Sequence, residues 1–204
     1  MRARTPPAPR LLPLAAAPVQ AWRNGGGNTR ELLAGPPDVA DWRWRISVAE
    51  ITADGPFSAY TGVARWFAVL SGEGVVLAQG DDHLALHAGD APLAFDGASA
   101  PHCSLLAGPT QDLNLMLRGG LGDGVGGGMV RAHPGQHWHA CATQGGVYSL
   151  VPGMLFDDDA GQQWPVRAET LVWCNAVPVR LRLEVPDTVL AFWLAVDLPA
   201  GEAA

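Results

Sequence analysis

The residues with the most evident chemistry are gathered in Trp22-Arg23-Asn24-Gly25-Gly26-Gly27-Asn28-Thr29-Arg30-Glu31. Successive glycines lose more backbone entropy in regular structure than any other residue. They belong where a chain turns sharply or lets its backbone approach something closely. Bare peptide N–H groups in such a turn can form a concave nest for an anion. Gly25 and Gly26 would supply those groups, Asn24 and Thr29 would add side-chain donors at the rim, and Arg23 and Arg30 would add positive charge. The alternative is a tight hairpin between two strands that binds nothing. The stretch is not a P-loop, because no Lys-Ser/Thr follows the glycines, and the glycine spacing is wrong for a dinucleotide fingerprint.

Three other groups could do chemistry. Asp112 and Asn114 share a strand face with Met116. If that face looks inward, an acceptor and a two-way amide suit a small zwitterionic or amide-bearing acid; otherwise both residues cap turns. His102-Cys103 together with Asp112 invites a Cys–His–Asp nucleophile reading, but strand neighbours point to opposite faces, so His102 is not expected to activate Cys103. His102 alone remains a candidate pocket residue. His137-Trp138-His139 would put two imidazoles on one strand face, as a metal site needs, with His133 close enough to join. The same segment could be an exposed loop. Asp157-Asp158-Asp159 reads as a solvated loop, since no EF-hand spacing surrounds it.

The elements that must position these residues read as strands. Helical signals are scarce, and short apolar stretches punctuated by Gly, Pro and Asp recur throughout, the pattern of an all-β sandwich or barrel. Between Asp41 and Glu50, Trp42, Trp44, Ile46 and Val48 share one face while Arg43, Arg45, Ser47 and Ala49 share the other. Arg65 to Leu70 and Val75 to Gln79 form a hairpin across Ser71-Gly72-Glu73-Gly74, and His83 to His87 follows as another strand. Asp112 to Arg118 alternates cleanly. Gly119 to Gly128 has little to pack and reads as a flexible linker. After it the rhythm resumes with Val147 to Val151, Thr170 to Cys174, Val179 to Val185 and the almost wholly apolar Val189 to Val196. Two small antiparallel barrels or jelly rolls are the simplest architecture.

A chain of 204 residues can bury a proper core without disulfides or metal. The net charge of −7 argues against a nucleic-acid backbone or an anionic membrane as partner. No apolar run approaches the roughly 20 residues that span a bilayer. The segment Arg2 to Pro18 has arginines and then an apolar stretch, but prolines interrupt it, so it reads as a frayed tail followed by a first strand rather than an export signal. Cys103, Cys141 and Cys174 form no CxxC pair and read as buried free thiols in a reducing cytoplasm. Most of the eight tryptophans belong in the core.

Several motifs together resemble one family. Trp22-x-Asn24-Gly25-Gly26-Gly27-x-Thr29-x-Glu31 is similar to the signature of the HutD/Ves family. So are Trp44-Arg45-x-Ser47-x-Ala49, Asp54-Gly55-Pro56-Phe57-Ser58, Gly62, Arg65, Phe95-x-Gly97, Cys103, Gly108-Pro109 and Asp112-x-Asn114-x-Met116. The likeness covers about residues 10–118 and weakens beyond the linker. Ala64 departs from the pattern, since many members carry an acidic residue there.

The resemblance implies a bicupin, two RmlC-like jelly-roll barrels, here expected at 1–118 and 131–204 around a 119–130 linker. A cupin pocket usually holds a metal through a His-x-His pair, a carboxylate and a later His. The stretch Gly55 to Gly74 has that rhythm without a histidine, and Ser58, Tyr60 and Arg65 stand where ligands would be. Arginine cannot ligate a metal. The first barrel is therefore expected to hold no metal and no cofactor. Its pocket should be polar and cationic, with Arg45 and Arg65 as carboxylate clamps and Ser47 and Ser58 beside them. Each arginine could instead serve a plain salt bridge. In the second half, Gln144 follows His137 and His139 at the spacing of a cupin carboxylate. The resemblance further implies a link to bacterial histidine utilisation through binding a pathway intermediate. The expected protein is thus a cytoplasmic, non-enzymatic binder of a small carboxylate such as urocanate or formylglutamate, with no nucleic-acid or membrane partner and with a homodimer left open. A metal-dependent enzyme using His137 and His139, and a ligand-free interaction protein, are the alternatives.

Overall fold

A computed structural model describes residues 8–36, 41–119, 127–139, 142–176, 180–186 and 190–197. In chain order the strands are β1 (Arg10–Pro13), β2 (Val19–Ala21), β3 (Gly27–Gly35), β4 (Trp44–Ile51), β5 (Gly55–Pro56), β6 (Val63–Ser71), β7 (Val75–Gln79), β8 (Asp82–Leu86), β9 (Leu93–Asp96), β10 (His102–Leu105) and β11 (Thr110–Arg118). They continue with β12 (Gly127–Arg131), β13 (His137–Trp138), β14 (Gln144–Ser149), β15 (Gly153–Asp157), β16 (Gln162–Val166), β17 (Thr170–Cys174), β18 (Leu181–Glu184) and β19 (Ala191–Val196). Only two 3-10 turns interrupt the strands among the described residues. The all-β expectation is met.

The chain forms two compact units, Ala17–Val125 and Met1–Ala16 with Gly126–Ala204. The first unit has a six-stranded sheet, β2-β3-β4-β11-β6-β9, and a four-stranded sheet, β5-β10-β7-β8. A shared apolar core joins them: Ile51, Phe67 and Val69 from the larger sheet pack with Val75, Leu77, Leu86 and Cys103 from the smaller. The second unit repeats the plan with β1-β17-β14-β19-β12 and β13-β18-β15-β16. Its core runs from Val147, Val172 and Trp193 to Leu155, Leu181 and Leu183. Among the described residues each unit is a pair of sheets that strand pairing does not close into a barrel.

Two boundaries differ from the sequence reading. The first strand does not belong to a 1–118 domain, because Arg10–Pro13 pairs antiparallel with Thr170–Cys174. Gly127 to Val130 is not linker but part of β12, paired with β19; neighbouring chain supplies the hydrogen bonds that glycine-rich composition alone would not demand. Residues 120–126 of that linker, the expected strand starts at Val179 and Val189, and Cys141 lie outside the described residues.

The register of the six-stranded sheet positions the site. Met116 on β11 is the Cα partner of Arg45 on β4 and of Arg65 on β6. Arg65 in turn faces Phe95 on β9. The next rung on the same face carries Ser47, Asn114 and Phe67, and the one after it Ala49, Asp112 and Val69. Neighbouring strands lie about 4.8 Å apart, so the two arginines start roughly 10 Å from each other and project the same way.

Candidate functional site: a cationic cavity in the first unit

A cavity of about 490 Å³ opens over this face, within the range that holds a small metabolite. Asn24, Thr29, Arg45, Ser47, Ser58, Arg65 and Asn114 line it, seven of the expected binding residues. Its wall also includes Trp22, Phe57, Tyr60 and Met116, an apolar complement that would cover a ligand's carbon skeleton.

The glycine stretch is a hairpin loop between β2 and β3. Trp22 N–H donates to Gly27 C=O at 2.9 Å, and Gly25 N–H donates to Trp22 C=O at 3.1 Å. Gly26 N–H donates to Asn24 Oδ1 at 3.1 Å. The N–H groups expected to cradle an anion are therefore spent inside the loop, and neither Gly25 nor Gly26 lines the cavity. This corrects the nest reading. The glycines shape the loop: Gly25 has φ +72°, and a Cβ on Gly27 would lie 2.3 Å from Glu50 C=O and 3.1 Å from the Trp22 ring. Trp22 is held in place because its indole N–H donates to Thr29 Oγ1 at 2.8 Å.

Arg45 and Arg65 are held differently. Arg45 Nε–H donates to Glu31 Oε2 at 2.7 Å, so the salt bridge considered for it exists, yet the guanidinium still borders the cavity. Arg65 is only 7 % exposed. Its Nη2–H donates to Asn114 Oδ1 at 2.9 Å, and its Nε–H finds no partner among the described residues. The Phe57 and Phe95 rings lie 5.0 and 5.1 Å from its Cζ, with Tyr60 at 6.0 Å, which compensates part of the lost hydration. Burial lowers the Arg65 pKa; Asp112 and Tyr60 oppose that shift and Arg45 adds to it. The group stays cationic because a guanidinium does not deprotonate in proteins.

Asp112 does not line the cavity. It is buried behind Asn114, whose Nδ2–H donates to Asp112 Oδ1, while Asp112 Oδ2 has no partner among the described residues. Burial pushes its pKa up to about 7, against the pull of Arg65 and of the Asn114 bond. Asp112, expected among the pocket residues, is thus set back from the cavity and joined to its lining by the Asn114 amide.

His102 is exposed and does not line the cavity, because its neighbour Cys103 occupies the inward face of β10. Burial, then Asp112 and Asp54, pushes the Cys103 thiol up to about 12, so a thiolate nucleophile is not available near neutral pH. In the second unit His137 Nε2 lies 2.8 Å from Asp158 Oδ2, and Arg182 binds the same carboxylate through Nε at 3.0 Å and Nη2 at 3.2 Å. These bonds hold Asp158 down at about 2. The expected solvated Asp loop is thus an ion-pair cluster. His139 borders a separate 270 Å³ cleft beside Trp138 and Trp193, whose rings stack at 4.8 Å. His133 is exposed. No group of three His, Cys, Asp or Glu side chains among the described residues could hold a metal ion, so His133, His137 and His139 do not converge.

A family model described as HutD matches residues 15–190. The chain belongs to the HutD family. It is 38 % identical over 102 residues to protein Ves of Citrobacter koseri, covering 50 % of this chain and 53 % of that one. By that alignment the chain spans about half the length of the curated relatives it matches. It also resembles the solved structure of HutD from Pseudomonas fluorescens SBW25, with a TM-score of 0.77 and 22 % identity over 93 % of this chain and 98 % of that one. Oxalate decarboxylase from Bacillus subtilis shares the cupin-like fold alone, at a TM-score of 0.62 and 10 % identity, with 96 % of this chain and 78 % of that one covered.

Several of the motif residues by which this HutD chain resembles its family meet at the cavity. The loop from Phe57 to Gly62 is anchored by Phe57 N–H to Pro101 C=O at 3.0 Å and Tyr60 N–H to Gly97 C=O at 2.8 Å. The aromatic seat of Arg65, made by Phe57, Tyr60 and Phe95, was not assigned from sequence. Phe57 and Phe95 stand in the motifs Asp54-Gly55-Pro56-Phe57-Ser58 and Phe95-x-Gly97, but nothing in their spacing shows that the two rings meet one guanidinium.

Proposed function

We propose that this HutD-family chain binds a small carboxylate-bearing metabolite in the cavity of its first unit, as a non-catalytic sensor or modulator connected with histidine breakdown. The single observation carrying this reading is the rung Arg45–Met116–Arg65, which sets two arginines on the lining of one cavity in a net acidic protein. A guanidinium fork matches carboxylate geometry, and Ser47, Ser58, Thr29 and Asn114 offer further hydrogen bonds. Aromatic walls suit a flat or short carbon skeleton, so urocanate and formylglutamate are the compounds to try first. On this reading the two sheet-pair units are the two cupin-type modules of a bicupin.

Thermal shift with each compound tests the reading. Both the stabilisation and its loss in Arg45→Ala are expected; no shift with either compound in the unaltered protein would count decisively against it. The metalloenzyme alternative has less support, because His137 is engaged by Asp158 and His139 borders a different cleft.

A further inference from the structure

We propose that filling the cavity with an anion draws a proton onto Asp112, so that ligand binding and proton uptake are coupled through Arg65 and Asn114. The inference rests on the anion-binding reading above and adds a regulation to the same site.

The geometry is a three-member chain. Arg65 borders the cavity, Asn114 Oδ1 accepts from Arg65 Nη2 at 2.9 Å, and Asn114 Nδ2 donates to Asp112 Oδ1. The Asn114 amide is thus oriented by both ends, oxygen to the cation and nitrogen to the acid. Asp112 is 1 % exposed, and its second oxygen lacks a donor among the described residues. A fully ionised carboxylate in that position would keep an unpaired charge in low dielectric, a cost that protonation lowers by removing the charge.

Among the described residues, Arg65 on β6 acts on Asp112, and Asp112 in turn acts on Cys103 of β10. Arg45 and Tyr60 act on Arg65, and Asp54 on Cys103. The Cys103 thiol is neutral near pH 7, since burial raises it to about 12. Arg65 is then the principal charge favouring the ionised form of Asp112, whose carboxyl burial pushes up to about 7. An anion seated against Arg65 adds a negative field at Asp112 that offsets the positive field of Arg65. That change favours the protonated carboxyl. Binding therefore takes up a fraction of a proton near neutral pH, and by linkage the affinity for the anion falls as pH rises above about 7, by at most tenfold per pH unit.

Titration calorimetry with N-formylglutamate, whose carboxylates stay ionised between about pH 6 and about pH 9, reads this directly. At one pH the heat is measured in buffers of different ionisation enthalpy, which gives the protons exchanged. The expected result is net uptake by the unaltered protein and none by Asp112→Asn, whose affinity should be flat across that range. Binding without proton exchange overturns the coupling and leaves the carboxylate site standing. Uptake that persists in Asp112→Asn overturns the assignment to Asp112. No binding at all overturns both. If the variant does not fold, the carboxyl carbon of Asp112 in aspartate-labelled protein is titrated by NMR with and without N-formylglutamate. A midpoint raised by the ligand supports the coupling, and an unmoved one overturns it.

Discussion

Arg45 and Arg65 stand on one rung of the six-stranded sheet, yet Arg45 is held by a carboxylate and Arg65 by an amide. Glu31 sets a counter-charge 2.7 Å from Arg45 Nε, whereas Asn114 orients Arg65 with an uncharged amide. Substitutions at the two places should have unlike consequences.

At Arg65, lysine keeps the charge but loses the planar fork and the face that stacks on Phe57 and Phe95. Arg65→Lys should weaken N-formylglutamate binding about 10- to 100-fold, equivalent to about 1.4–2.8 kcal/mol, by titration calorimetry. An affinity within twofold of the unaltered protein would contradict the role given to the fork.

At Glu31, the partly exposed pair is worth little to the fold. Glu31→Gln should change stability by only about 0–1 kcal/mol in denaturant unfolding, because the amide oxygen can still accept from Arg45 Nε–H. Glu31→Lys should lose N-formylglutamate binding, since it drives Arg45 out of its position with a like charge. Retained binding in that variant would mean that Arg45 does not take part.

Stability should depend on pH through Asp112. Its folded pKa of about 7 lies above the ordinary 3.8, so the native state holds a proton that the unfolded chain has released between those values. This contribution is fully present below about pH 4 and lost as pH rises through about 7. Asp158 has the opposite sign: held at about 2, its contribution is present above about pH 4 and lost as pH falls towards 2. Unfolding in denaturant at about pH 5 and about pH 8 should show a loss of stability at the higher value that shrinks in Asp112→Asn. An equal loss in both proteins would place the titrating group elsewhere.

The hairpin loop offers a purely steric check. Gly27→Ala puts a methyl 2.3 Å from Glu50 C=O, backbone that cannot swing aside. A cost of about 1–3 kcal/mol and an altered near-ultraviolet signal from Trp22 are expected. Gly26→Ala, whose nearest contact would be 3.5 Å, should be better tolerated in the same measurements.

Much of the site was legible because a strand repeats every two residues. Alternation in Trp44–Ile51 and in Thr110–Arg118 put Arg45 with Ser47 and Asn114 with Met116, and those pairs do share the cavity. Alternation says nothing about depth along a face. Asp112 and Asn114 looked equivalent, but two rungs from the arginines the sheets have already closed over Asp112. Nor does chain order reveal that the peptide N–H groups of a glycine turn will be consumed by their neighbours, as those of Gly25 and Gly26 are. His102 failed for a related reason: on a two-sided strand one of two adjacent residues must face out, and the apolar Cys103 took the inner place.

The pairing of β1 with β17 also bears on how the polypeptide is made and handled. During translation Arg10–Pro13 leaves the ribosome long before Thr170–Cys174 exists, so it must wait unpaired while residues 17–125 complete their own sheets. A gene cut at the glycine-rich segment would give a later fragment with a bare β17 rim, open to pairing between molecules. Producing that half alone calls for a circular permutant that carries residues 8–16 behind its own last strand.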